Sequence, residues 1–246
     1  MQRILSYMRK AIEDYNMIED GDKIAVALSG GKDSLTMLLA LKNLQIFFPK
    51  KFEIIAVTIN PGFDEFDTTE LEKLCTEKDI KYIVEKTDIK AIVFDVRKEK
   101  NPCSLCANLR RGILNSVAIR EGCNKIALGH NEDDVLETFM LNLLYGGSIS
   151  TFAPMSYMDR SGITLIRPLI YAPEKYIKSF AKKNNLPVMP KVCPMDGVSK
   201  REDMKNLIYN FQKDIPRVRE NLYGAIKRSN IKGWAIEENN NNIDNK

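Results

Sequence analysis

The sequence has few residues with which to build a zinc site. It contains one histidine in 246 residues and a single Cys-x-x-Cys pair, Cys103 and Cys106. A structural zinc ion usually takes four ligands, commonly from two such pairs, so the spacing does not support a zinc finger. The cysteines number five, and a reducing compartment disfavours disulfides. The paired cysteines therefore indicate another form of metal binding or sulfur chemistry.

Long apolar runs are also missing. No run approaches the roughly 18 apolar residues that mark a bilayer-spanning helix. The N-terminal stretch MQRILSYMRKAIEDY is charged and amphipathic, unlike a secretory signal. We therefore expect a cytoplasmic protein with no membrane partner. Hydrophobic residues make up 44% of the chain and charged residues 28%, as is ordinary for a globular protein with one good core.

The net charge is small but unevenly distributed. The formal value is +4, yet between Lys175 and Gly233 there are 14 Lys and Arg against five Asp and Glu, a local balance of 14 − 5 = +9. A basic C-terminal third is an electrostatic signature of nucleic-acid binding. The alternative is a solvated helical surface, which charge alone does not exclude.

Short apolar runs alternate with helical stretches along the chain. This order predicts an α/β fold with a doubly wound, parallel, five-stranded sheet and helices on both faces, Rossmann-like, plus C-terminal basic helices. The expected strands cover residues 23–29, 52–59, 81–86, 125–129 and 163–169. The expected helices cover residues 2–18, 33–47, 68–79, 108–121, 133–144, 173–184, 202–213 and 215–230. We expect an α/β domain over 1–190, a basic helical segment over 191–233 and a disordered tail over 234–246, which is low in complexity.

A glycine-rich turn joins the first expected strand to a helix. A strand, a glycine turn and a helix start bring unpaired backbone N–H groups and the positive end of the helix dipole to one point, which binds an anion. The turn is too short for the P-loop of nucleoside triphosphatases. We expect it to bind phosphate; the alternative is a tight turn with an Asp or Ser helix cap. The turn consists of Ser29, Gly30, Gly31, Lys32, Asp33 and Ser34.

The Cys-x-x-Cys pair lies at a helix start, with Arg110 and Arg111 in the following turn. A helix N-terminus and guanidinium groups both favour the thiolate, the form that binds metal or attacks sulfur. Cys193 lies between prolines in PVMPKVCPMD, a loop that favours an exposed position near a site. The other two cysteines, Cys75 and Cys123, occur in helical or apolar contexts and are expected to pack in the interior.

A third candidate segment, GHNEDD, follows the fourth expected strand. In a doubly wound sheet, ligands collect at the carboxyl ends of strands, so we expect His130 in the nucleotide site; the alternative is a satisfied structural histidine. Carboxylates of this segment can supply oxygen ligands to Mg²⁺, which would neutralise the phosphates. We favour Asp133 over Glu132 as a functional group, with simple helix capping as the alternative. We place the adenine near the end of the second strand, around Ile59 and Asn60.

The motif SGGKDS resembles the PP-loop signature of ATP pyrophosphatases, enzymes that cleave ATP between the α and β phosphates and attach AMP to a substrate oxygen. With PCSLCANLRRGIL, LGHNEDDVLETFMLNLLYGG and IRPLIY, the sequence closely resembles the tRNA 2-thiocytidine synthetase family, TtcA, in order over roughly residues 1–215. The resemblance implies ATP and Mg²⁺ at the glycine turn. It also implies a 4Fe–4S cluster on Cys103, Cys106 and Cys193, with one iron free of protein ligands.

The resemblance implies the rest of the reaction as well. The substrate would be cytidine 32 in the anticodon loop of tRNA, with a cysteine desulfurase or another sulfur donor as partner and a possible homodimer as the assembly. Unpaired loop bases are those whose edges proteins reach. Arg110, Arg111 and the basic helices after Lys200 would bind phosphates of the tRNA.

Other functions stay open at this point. The chain could be a thiolase for a tRNA uridine, although it has no four-ligand zinc spacing, or a persulfide relay between Cys103 and Cys193 without a cluster. A non-catalytic nucleotide-binding module with a structural metal leaves Lys32 and Asp33 unexplained. An amidating synthetase that uses ammonia would not need the three cysteines.

Overall fold

The computed structural model describes residues 1–97, 102–190, 192–193 and 200–236. Its centre is a six-stranded sheet in the order β3-β2-β1-β4-β6-β5. Strands β1, β2, β3 and β4 are parallel to one another, and β6 is parallel to β4. The strands are β1 (Asp22–Ala27), β2 (Phe52–Asn60), β3 (Lys81–Lys86), β4 (Lys125–Ala127), β5 (Met155–Met158) and β6 (Ile163–Ile166).

The prediction of five strands was wrong by one. The additional strand, β5, lies at the edge of the sheet and pairs antiparallel with β6, from Met155 opposite Ile166 to Met158 opposite Ile163. Its sequence, MSYM, has no run of β-branched residues, and the strand is only four residues long. A short edge strand of this kind gives little signal, because its pairing with β6 stabilises it more than local propensity does.

Helices cover both faces of the sheet. One face, with Ala25 and Val57, packs on one helix through Leu114, Val117 and Ala118. The opposite face, with Ile24 and Val26, packs on the larger hydrophobic cluster to which the other α-helices contribute. The helices are α1 (Gln2–Asp14), α2 (Lys32–Leu44), α3 (Thr69–Glu77), α4 (Pro102–Arg120), α5 (Glu132–Leu144), α6 (Glu174–Lys183), α7 (Lys200–Asp214) and α8 (Val218–Arg228).

One helix boundary differs from prediction in a way that bears on the site. Helix α4 begins at Pro102, six residues earlier than expected, so both cysteines of the pair lie in its first turns. A proline at the first helical position is well tolerated because its missing N–H would have had no intrahelical partner. A short π-helical segment, Ala91–Val96, was not expected at all.

The C-terminal helices share the core of the α/β part. Met204 and Ile208 of α7 and Tyr223 and Ile226 of α8 belong to the same hydrophobic cluster as the helices beside the sheet. The prediction that disorder begins at residue 234 was wrong, because the side chain of Trp234 is 0% exposed and its Nε1 donates to the carbonyl of Phe152 at 3.2 Å. The rest of the expected tail, residues 237–246, lies outside the described residues.

The strand order places one crevice at the centre of the sheet. From β1 the chain runs outward through β2 and β3, and then returns to place β4 on the other side of β1. Such a reversal opens a crevice at the carboxyl ends of the two central strands, where ligands of doubly wound sheets bind. The glycine turn follows β1 and GHNEDD follows β4, so both segments lie at this crevice. No helix among the described residues is both long and apolar enough to cross a membrane.

Candidate active site

The glycine turn has a backbone that only glycine suits. Gly30 has φ +79°, and a Cβ at this position would overlap the Sδ atom of Met189. The N–H of Met189 donates to the carbonyl of Gly30 at 2.9 Å, which fixes the turn against the segment that follows α6. The main chain of the turn is therefore close-packed on one side, and its conformation is set before any ligand binds.

The start of α2 is available for an anion. Gly31 is the N-cap residue, and no side chain of the described residues caps the helix. The serine hydroxyls instead brace the turn itself, since Ser34 Oγ donates to the carbonyl of Gly31 at 2.9 Å and accepts from Ser29 N at 3.2 Å. This arrangement supports the anion-binding interpretation over the simple helix cap.

Lys32 is held by two carboxylates at the mouth of the turn. Its Nζ lies 2.7 Å from Asp33 Oδ2 and 2.8 Å from Glu174 Oε1. Burial opposes the charge of Lys32, but the hydrogen bonds with these two carboxylates outweigh it and raise the lysine pKa. The ammonium group is therefore charged and positioned to move onto an incoming phosphate.

Sequence reasoning missed Glu174, the first residue of α6. Its carboxylate also accepts from Lys178 at 2.8 Å and from Lys205 of α7 at 3.0 Å. Burial would raise its pKa, but the hydrogen bonds of the three lysines lower it to about 2. No spacing in the sequence indicates this contact, because Lys32 and Glu174 come together only when α2 and α6 pack.

The GHNEDD segment approaches the glycine turn closely. A Cβ on Gly129 would lie 3.2 Å from the backbone of Asp33, so the small residue permits the two strand ends to meet. Asn131 caps α5 and also donates from Nδ2 to Asp33 Oδ1 at 3.0 Å. Asp134 completes the capping box by accepting from the Asn131 N–H at 2.9 Å. Asn131, which sequence reasoning did not single out, thus links the two motifs.

The acids of this segment have separate surroundings. Asp133 accepts from the backbone N–H of Glu174 at 2.7 Å and pairs with Arg219 of α8 at 2.8 Å. Both contacts are structural ones, and a catalytic role for Asp133 stays a prediction. Burial raises the pKa of Glu132 to about 7 despite the nearby Arg219, and burial raises the pKa of Asp134 to about 6.

An apolar pocket of about 260 Å³ opens beside the glycine turn. Ser29, His130 and Ile59 of β2 are among its lining residues, and the position of the adenine stays a prediction. Asn60 is not among the lining residues, and its Oδ1 accepts from the N–H of Gly62 at 2.9 Å. The apolar wall consists of Ala27, Leu28, Val57, Ile59, Phe66, Ala107, Leu114, Ile126, Leu128 and Leu165.

The three cysteines of interest line one cavity. Cys103 and Cys106 of α4 and the distant Cys193 share a cavity of about 290 Å³ with the rings of Phe63 and Phe94. All three are free thiols and at least partly exposed. Among the described residues no three His, Cys, Asp or Glu side chains lie close enough to hold a single metal ion. An iron–sulfur cluster is larger than one ion and takes thiolate ligands, so the role of these three cysteines as its ligands stays a prediction.

The remaining cysteines lie in the interior. Cys75 and Cys123 are 0% and 6% exposed, and burial raises the pKa of both thiols, that of Cys75 to about 11. A buried thiol with a raised pKa is inert packing, which agrees with the expectation for both residues.

Comparisons with known proteins agree with this geometry. The PP-loop domain family matches residues 2–190. The tRNA-cytidine(32) 2-sulfurtransferase of Syntrophotalea carbinolica is 42% identical over 228 residues, which cover 92% of this chain and 88% of the relative. The enzyme of the same name from Saccharophagus degradans is 40% identical, over 96% of this chain and 77% of its own. The chain belongs to the tRNA-cytidine(32) 2-sulfurtransferase family of PP-loop proteins.

A solved structure has the same fold. The U34-tRNA thiolase NcsA from Methanococcus maripaludis, determined with its 4Fe–4S cluster, matches with a TM-score of 0.73 and 29% identity. The match covers 89% of this chain and 76% of that protein. The glycine turn lies within the residues that the PP-loop domain family matches.

The apolar pocket beside the glycine turn, called the nucleotide pocket after its predicted ligand, shares a wall with the cysteine cavity. Ala107 and Arg110 of α4 line both cavities. The Nε of Arg110 is buried and has no hydrogen-bond partner among the described residues. Arg111 is exposed and lines the nucleotide pocket. The contact of either arginine with tRNA stays a prediction.

Proposed function

We propose that the protein is an ATP-dependent tRNA sulfurtransferase that replaces the C2 oxygen of a cytidine with sulfur. The observation that carries this proposal is the wall that the two cavities share through Ala107 and Arg110. One cavity has the chemistry of a nucleotide site and the other collects three thiols. A base between them would meet the activating nucleotide and the sulfur source without moving far.

The PP-loop supplies the nucleotide half of the reaction. The N-terminus of α2 and Lys32 would bind the pyrophosphate end of ATP, and the apolar wall around Ile59 would receive the adenine. When phosphate arrives, Lys32 would exchange its ion pairs with Asp33 and Glu174 for the phosphate oxygens. We propose Mg²⁺ as the counterion of the phosphates. Asp33, which belongs to the glycine turn, is a carboxylate close to this proposed phosphate site.

Adenylation makes the C2 oxygen of the cytidine, a poor leaving group, depart as part of AMP, a good one. The C2 oxygen of the cytidine attacks the α-phosphorus, the bond to the bridging oxygen breaks, and pyrophosphate leaves. A sulfur nucleophile then adds at C2, the C2–O bond breaks, and AMP departs with the former base oxygen. The helix N-terminus and Lys32 stabilise the charge that develops on the phosphates in the first step.

The cysteine cavity would supply the sulfur half. Cys103, Cys106 and Cys193 fit a 4Fe–4S cluster, since the three thiols line one cavity together with apolar residues such as Ile89. A cluster held by these three cysteines would have one iron without a protein ligand, and it would supply a site for the sulfur that is transferred. Phe63 and Phe94 pack edge to face at 6.2 Å and form an apolar side of this cavity.

Of the remaining assignments, only the substrate base rests on the name of the relatives. Their name indicates cytidine 32 of tRNA as the substrate base, and the basic residues of α7 and α8 would bind the RNA backbone. A sulfur donor such as a cysteine desulfurase, a homodimer and a cytoplasmic location belong to the same proposal.

Mass spectrometry of tRNA nucleosides tests the substrate. A deletion strain should lack 2-thiocytidine and regain it when the gene is restored. Loss of 2-thiouridine instead would favour the uridine-modifying alternative, which the likeness to NcsA makes the second candidate.

Anaerobic assays with purified protein test the chemistry. AMP formation should require tRNA, and Cys103→Ala should abolish thiolation, whereas Cys123→Ala, at a buried packing position, should retain it. Full thiolation by Cys103→Ala would exclude that cysteine from sulfur transfer.

A further inference from the structure

The single histidine of the chain is held by an arginine that sequence reasoning did not single out. Arg167 follows β6, is 7% exposed, and donates from Nε to His130 Nδ1 at 3.3 Å. An Nδ1 that accepts a hydrogen bond carries no proton. The neutral imidazole therefore has its proton on Nε2, at the opposite side of the ring.

The arginine is itself fixed in place. Its Nη1 donates to the carbonyl of Ala153 at 2.6 Å, and its guanidinium lies 5.1 Å from the ring centre of Phe152. The same phenyl ring lies against the imidazole of His130, with ring centres 4.8 Å apart. Trp234 in turn donates to the backbone of Phe152, so the C-terminal segment supports the loop that orients both side chains.

The surroundings also keep the imidazole neutral. Burial is the largest cause and lowers the pKa of His130 to about 3, and three positive groups act in the same direction. These are Arg167 after β6, Arg201 on α7 and Arg111 on α4. Both effects favour the neutral imidazole over the imidazolium.

The protonated nitrogen belongs to a residue at the wall of the nucleotide pocket. His130 lines that pocket together with Ser29 and Arg111. No described residue forms a hydrogen bond with Nε2, and this atom is not among the buried polar atoms without a partner. An accessible donor without a protein acceptor at the wall of a pocket is available to a ligand.

We propose that Arg167 is a positioning residue that holds His130 as a neutral Nε2–H donor to a ribose or phosphate oxygen of the bound nucleotide. The identity of the ligand rests on the proposed function, whereas the tautomer does not. A neutral donor with a fixed direction stabilises an oxygen without exchanging a proton with it. His130 therefore serves as a hydrogen-bond donor, and neither of its nitrogens is a general base.

Nuclear magnetic resonance tests the tautomer directly, because ¹⁵N-labelled histidine gives one imidazole in the whole chain. The spectrum should show a protonated Nε2 and an unprotonated Nδ1, unchanged between pH 5.5 and pH 8. A protonated Nδ1, or titration within this range, would overturn the proposal. This result does not depend on any activity.

The nucleotide arm uses an ATP analogue with a methylene bridge between the α and β phosphates. Saturating analogue should shift the Nε2–H resonance and slow its exchange with water. An unchanged resonance in a protein that binds the analogue would refute donation to the nucleotide. Absence of analogue binding would instead count against the proposed function.

Variants separate positioning from mere structure. Arg167→Met should release the ring, raise the pKa of His130 by removing one of the positive groups that lower it, and weaken analogue binding about tenfold, the loss of one good hydrogen bond. Arg160→Met, at an exposed position of the β5–β6 turn, is the matched control and should change neither property. His130→Gln, with an amide N–H near the position of Nε2, should retain more affinity than His130→Ala. Equal losses in these two variants would refute a donor role.

Discussion

Glu137 is expected to make the stability of the protein depend on pH. It lies on α5, one turn after Asp134, and is 9% exposed. Burial is the main cause that raises its pKa to about 7, and the charge of Asp134 adds to it. Lys205 and Arg201 act in the opposite direction without cancelling the shift. The carboxyl group is thus held in a site that favours its neutral form.

The sign and size of the effect follow from this shift. In the unfolded chain Glu137 loses its proton near pH 4.5, whereas in the folded protein the carboxyl group keeps its proton until about pH 7. The folded state therefore binds more protons between these values, and stability falls as the pH rises through them. A shift of this size corresponds to about 3 kcal/mol at about 1.4 kcal/mol per unit.

Glu137→Gln removes the ionisation while keeping the shape of the side chain. At pH 8 the variant should be more stable than the parent by up to about 3 kcal/mol, and at pH 5 by less than about 1 kcal/mol. Urea unfolding followed by circular dichroism at both pH values measures the difference. Glu65→Gln, at an exposed position, is the control and should have no effect at either pH. Equal stability of Glu137→Gln and the parent at pH 8 would refute the reasoning.

Three further predictions concern the PP-loop, the cysteine cavity and the C-terminus. Gly30→Ala should abolish binding of the ATP analogue, because Gly30 has a positive φ and an added Cβ would overlap Met189. Gly21→Ala, with φ +82° and open space around it, is the control and should bind the analogue normally. Titration calorimetry measures both, and normal binding by Gly30→Ala would contradict the tight turn. Cys193→Ser should lose most of the iron and sulfide that the parent takes up on anaerobic reconstitution, while Cys123→Ser should keep them; equal iron in both variants would remove Cys193 from the site. Trp234→Ala should lower the free energy of unfolding by about 3–5 kcal/mol, as for other buried aromatic residues. Urea unfolding measures this loss. A loss below about 1 kcal/mol would show that the segment after α8 does not contribute to the core.

Local patterns were reliable wherever the physics is local. The PP-loop could be predicted because glycines between a buried strand and a helix have one common physical use, and the structure has β1, the turn and α2 in that order. The Cys-x-x-Cys pair was correctly expected at a helix start, although α4 begins earlier than Asn108. The edge strand β5 could not be predicted, because its pairing with β6 and not its composition makes it a strand.

The sequence by itself determined the α/β class, the phosphate-binding turn and the identity of the candidate thiols, since each depends on neighbours within a few residues. The tertiary structure alone decided which distant residues come into contact. It brings Cys193 to Cys103 across 90 positions of chain, Glu174 to Lys32, and Arg167 to His130. It also buries Trp234 beneath a loop some 80 residues earlier. The physical reason is that such contacts form through the packing of helices on a sheet, and this packing depends on the shape of the whole core.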